Sequence, residues 1–104
     1  ERFLFKQMDL LHSEDPIALL VHGSAKGADR LAEKWAKLAE IPYLGVPAEW
    51  EKLGRRGGMV RNRAMPQLAA IDLVVAFRGN VGTRGMLSVA EECGIPTLTP
   101  GWKP

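Results

Sequence analysis

With 104 residues, 46% of them hydrophobic and 25% charged, the chain suits one globular domain and is too apolar for a disordered one. A formal net charge of +2 suits an anionic small ligand and falls short of a nucleic-acid footprint, which needs basic residues clustered on one face. No apolar run is long enough to span a bilayer, and a lone cysteine, Cys93, excludes an intramolecular disulfide.

Phe3, Phe5, Met8, Leu10 and Leu11 stand among charges, so residues 1–12 read as an amphipathic helix already under way at Glu1. A native N-terminal segment is therefore expected before it. Ser13, Glu14, Asp15 and Pro16 read as a turn, with His12 as an exposed helix end. Ile17 to Val21 form a continuous apolar run, the mark of a strand buried on both faces. A turn over His22–Lys26 leads into a helix over Gly27–Glu40, with Leu31, Trp35, Leu38 and Ala39 at helical spacing and Trp35 in the core. Pro42 precedes a short strand, Tyr43–Val46. Pro47–Gly58 is a glycine-bearing loop, and Met59–Ala70 a helix that Pro66 should kink or split. Asp72–Phe77 is a second apolar strand, Arg78–Gly82 a turn, and Thr83–Glu92 a helix with Gly94 as its C′ residue. Pro96–Thr99 gives an edge strand. Cys93 reads as a packing residue. With no signal-peptide pattern in the sequence, a reducing, cytoplasmic setting is expected.

Strands alternating with helices imply parallel βαβ units with helices on both faces, a Rossmann-like three-layer α/β sandwich. Ligands of such sheets bind beyond the carboxyl ends of the strands, where both glycine-rich turns fall. In the first turn, Gly23 and Gly27 permit positive φ and close approach of backbone to ligand. Backbone N–H groups at the following helix start can cradle an anion, and Ser24 adds a hydroxyl donor. The alternative is structural: Ser24 caps the helix and Asp29 complements its dipole. The second turn carries Gly79, Asn80 and Gly82, followed by Thr83, which can cap the helix or bind a phosphate oxygen. Two such turns converging on one crevice favour binding over two unrelated structural explanations.

Arg55, Arg56, Arg61 and Arg63 lie between the turns and can meet a phosphate through bidentate contacts. Arg61 near a helix start opposes the helix dipole, which points to a ligand or partner role. The same cluster, with an isoelectric point near 9.0, leaves nucleic-acid binding as a weaker reading. His22 ends a strand facing the crevice; it either closes that strand with a hydrogen bond or serves ligand binding or acid–base chemistry. Trp50 can stack on a base or pack over the sheet edge. No Cys/His cluster supports a metal site, and no cofactor is expected.

The stretches HGSAKGADRLAEKWA, PAEW, GGMVRNRAM, DLVVAFRGNVGT and AEECGIPT, in that order, resemble the SLOG superfamily in its YspA-like branch. The resemblance covers about Ile17 to Thr97. It implies a Rossmann-like domain that binds a nucleotide or nucleotide-derived ligand as a sensor or accessory module, with a homo-oligomer possible and no membrane partner. Its site would comprise His22, Gly23, Ser24, Gly27, Asp29, Arg61, Asn62, Gly79, Asn80, Gly82 and Thr83. The related LOG phosphoribohydrolases imply an alternative, an N-glycosidase acting on nucleoside monophosphates with Arg61 as its catalytic candidate. Against that alternative, the hydrolase turn carries a glutamate shortly after Gly-Thr, whereas Arg84, Gly85 and Met86 follow Thr83 here. A glycosidic cleavage needs a carboxylate near the scissile bond. The family's first strand and its Gly-Ser-Arg turn have no match, so a central strand beside Ile17–Val21 is expected from elsewhere: an upstream segment, a second chain, or a re-paired sheet.

Overall fold

The computed structural model describes residues 1–78 and 81–101, with residues 81 and 82 described by their backbone. The elements run α1 (Arg2–Glu14), β1 (Leu20–His22), α2 (Ala28–Leu38), β2 (Tyr43–Gly45), α3 (Trp50–Leu53), a 3-10 turn (Gly54–Arg56), α4 (Gly57–Leu68), β3 (Val74–Val75), α5 (Val81–Cys93) and β4 (Thr97–Leu98). They fall into two compact units, Glu1–Pro47 and Ala48–Pro104. Each unit holds one βαβ element with a parallel pair, β1 with β2 and β3 with β4. This is an α/β fold with small parallel sheets. Among the described residues the ladders form two two-stranded sheets, where the sequence suggests one.

In the first unit α1 buries Leu4 and Met8, spaced i, i+4, against α2, which contributes Trp35 and Ala36. The Trp35 indole N–H donates to Asp9 Oδ1 at 2.9 Å, which satisfies the one polar atom of a core tryptophan. Helix α1 runs past the expected stop at residue 12. Ser13 Oγ donates back to the Leu10 carbonyl at 2.7 Å, so the serine is satisfied inside the helix. Pro16 then forces the residue before it out of the helical region, and Asp15 is extended at φ −146°. His12 is not a free helix end. Its Nδ1 accepts the Ile17 N–H at 2.9 Å and its ring meets Trp35 edge-on.

Both β1 and β3 start later than their apolar runs, for the same reason. The Leu20 N–H donates to the Pro42 carbonyl and the Val74 N–H to the Pro96 carbonyl, each at 2.9 Å. The next ladder bond in each pair would need an N–H on that proline, which has none. Strand β1 is also less enclosed than expected, with Leu20 and Val21 half-buried, while β4 is exposed.

Each βαβ unit also ends its helix in the same way. Ile41 N–H returns to the Ala36 carbonyl and Glu40 N–H to Lys37; Ile95 N–H returns to Ala90 and Gly94 N–H to Glu91. These are Schellman closures, and the residue at the turn takes positive φ, +59° at Glu40 and +70° at Gly94. The expected C′ role of Gly94 holds. Cys93, expected to pack, is exposed. The second unit buries Met65, Val74, Ala76, Val89 and Ala90. Helix α4 continues through Pro66 and stops two residues later. No helix among the described residues is long and apolar enough to cross a membrane.

Candidate functional site

The first glycine-rich turn joins β1 to α2 and is tied together by two side chains. Asp29 Oδ2 accepts the N–H of Gly23 at 3.1 Å and of Ala25 at 3.2 Å. These turn amides therefore already hold the protein's own carboxylate. Positive φ falls on Gly27 (+86°) and on Ser24 (+57°), not on Gly23. Gly27 is the helix N-cap residue and no side chain caps it, so Ser24 does not play the capping role.

His22 is 6% exposed and bonded on both ring nitrogens. Nδ1 accepts the Ser24 N–H at 3.0 Å, so it carries no proton, and the Nε2–H donates to Glu33 Oε1 at 3.0 Å. That fixes the neutral Nε2–H tautomer and makes His22 the closure of β1. The hydrogen bond from His22 is the chief cause holding the Glu33 carboxyl below its usual range; Lys37, 3.5 Å from Oε2, adds to it. The ammonium of Lys37 lies 5.5 Å from the Tyr43 ring centroid, and Tyr43 and Glu33, in that order, raise its pKa.

Two residues of this cluster escape a reading of the turn alone. Glu33 belongs to an Asp29–Glu33–Lys37 stripe at i, i+4 spacing, which places all three on one face of α2. That spacing is the signal that could have found it. Gly45 in β2 leaves the space beside the cluster: a Cβ there would stand 2.7 Å from Ser24 Oγ and 3.0 Å from His22 Cε1. Nothing in the local sequence marks Gly45, because its neighbours come from another strand.

The second unit presents a different chemistry. Arg61 is half-buried on α4, and its Nε–H donates to Asn62 Oδ1 at 2.8 Å. Asn62 is 2% exposed. Gly85 admits it: a Cβ at that position of α5 would lie 3.3 Å from Asn62 Nδ2 and 2.7 Å from Met59 Sδ. A buried amide thus helps to orient the guanidinium. Arg63 is engaged with Glu92 at 3.1 Å, while Arg55 and Arg56 are exposed. Of the second turn, Gly79 and Asn80 lie outside the described residues. Gly82 and Thr83 belong to the first turn of α5, which starts at Val81, so Thr83 is inside the helix and not its cap. Among the described residues no group of His, Cys, Asp and Glu could hold a metal ion.

Parallel βαβ units, one with a self-closed HG-x-x-x-G-A-D turn and the other with an arginine bonded to a buried asparagine, define an α/β protein. The chain belongs to the YspA, cpYpsA-related SLOG family, whose model matches residues 1–53. It is similar to the Gene 61 protein of Mycobacterium phage D29, with 36% identity over 103 residues, which cover 92% of this chain and 82% of that protein. No solved structure matches it.

Proposed function

We propose that this protein binds a nucleotide or nucleotide-derived ligand, as a sensor or accessory module. Membership of the SLOG family supports a nucleotide-related role. The observation that carries the reading is Arg61 held by the buried Asn62. A guanidinium offers five N–H donors in a planar fork suited to phosphate oxygens, and fixing it beforehand lowers the cost of ordering it on binding. With Gly23 and Ala25 already on Asp29, the first turn is occupied by the protein's own carboxylate and is less suited to a second anion than Arg61 is. The Rossmann-like sandwich of the family is the framework this reading assumes.

Thermal unfolding with a panel of nucleoside monophosphates, nucleoside diphosphates and ADP-ribose tests it. A ligand present at a hundredfold excess over its Kd should add about 2.7 kcal/mol to the folded state. Stabilisation by one member of the panel, lost in Arg61→Ala, is the expected result. No response from the native chain to any member would contradict the proposal.

A further inference from the structure

We propose that Trp50 is the stacking platform for the base of the ligand, an inference that rests on the nucleotide reading above. Trp50 opens α3, and the benzo edge of its indole lies against the start of α4. A Cβ on Gly57 would stand 3.2 Å from its Cε3, and one on Gly58 would stand 3.1 Å from its Cη2. Two consecutive glycines inside a helix weaken it, since glycine is the poorest helix former after proline. Here they let a flat ring rest directly on backbone.

The rest of the ring is open. Trp50 is 57% exposed although its benzo edge is covered. A tryptophan used only for packing would be more enclosed, because the large aromatic side chains are highly buried on average. Base–aromatic stacking needs an exposed ring held in place, and Trp50 is exposed with its edge held on backbone.

The surrounding charge matches a phosphate-bearing ligand. Arg61 follows Gly57 and Gly58 at i+4 and i+3, which puts it on the same face of α4 one turn on, about 5.4 Å along the axis. Helical side chains in general lean toward the N-terminus, which on α4 is the tryptophan end. Lys52, Arg55 and Arg56 are exposed on the segment between Trp50 and Gly57. Glu49 and Glu51 flank the tryptophan, and the cations, Arg61 included, outnumber them. A base on Trp50 with its phosphate toward Arg61 uses both features together. The occupant is a free nucleotide; a single-stranded nucleic acid shares the chemistry and is separated by the test.

Calorimetric titrations of the native chain, Trp50→Leu and Trp50→Phe with AMP, ribose 5-phosphate and a single-stranded oligothymidylate decide it. Trp50→Leu should weaken AMP by roughly 5- to 150-fold, the range that base–aromatic stacking commands. Trp50→Phe should recover most of that loss, and ribose 5-phosphate should bind all three proteins alike. Equal AMP affinity in Trp50→Leu would overturn the stacking role while leaving the nucleotide reading standing. An equal loss for ribose 5-phosphate would also overturn it, since the tryptophan would then be structural. Binding of the oligothymidylate without AMP would overturn the assignment to a free nucleotide. A native chain that binds none of the three removes both readings.

Discussion

Asp29 accepts two turn amides on a single carboxylate oxygen, so the conformation of the first turn hangs on one side chain. Removing it takes this acceptor from Gly23, a buried residue, and from the exposed Ala25; a buried donor that loses its acceptor costs about 1–3 kcal/mol. Asp29→Ala should therefore lower the unfolding free energy measured in urea by about 2 kcal/mol, and Asp29→Asn, which keeps an oxygen, by less. An alanine variant within about 0.5 kcal/mol of the native chain, the size of an ordinary surface substitution, would refute this role. Glu33 gives a pH signature. Its carboxyl is held below the usual range, first by the His22 Nε2–H and then by Lys37. A depressed folded-state pKa contributes stability above the unfolded pKa, near 4.3, and loses it as pH falls through the folded value. The stability difference between the native chain and Glu33→Gln should be constant above about pH 5 and shrink below about pH 4. A difference that grows on acidification would reverse the assignment.

At the scale of elements, the two Schellman closures are an internal comparison. Gly94 sits at positive φ without penalty, whereas Glu40 holds the equivalent position with a side chain. Glu40 is exposed, so replacing it removes strain without opening a cavity. Glu40→Gly should raise stability by about 0.5–1 kcal/mol, seen as a Tm increase of a few degrees, and Gly94→Ala should lower it by a similar amount. A destabilised Glu40→Gly variant would contradict the strain argument. The helices were largely legible in the sequence because their apolar spacing and stop residues are local: Leu4 and Met8 on α1, Trp35 on α2, Gly94 after α5. Strand length was not. The apolar runs over 17–21 and 72–77 say what can be buried. The prolines that end the ladders, Pro42 and Pro96, lie on the partner strands, more than twenty residues further along the chain.

For the whole molecule, the candidate site was legible in part. His22, Gly23, Ser24 and Asp29 do form one bonded cluster, and Arg61 and Asn62 another. The role of Asp29 as an internal anion was hidden because a turn motif does not say which acceptor its amides find. Glu33 and Gly45 were hidden because they reach His22 from other elements. Each cluster lies within its own unit. The central claim is that the Arg61–Asn62 pair engages the phosphate of a nucleotide-derived ligand as one device. Calorimetric titration of the best ligand from the panel into the native chain, Arg61→Ala, Asn62→Ala and the double variant tests it most directly. If Asn62 acts by orienting Arg61, each single variant should lose at least tenfold in affinity, and the double variant should lose no more than Arg61→Ala alone. Native affinity in Arg61→Ala, or losses that simply add in the double variant, would contradict it.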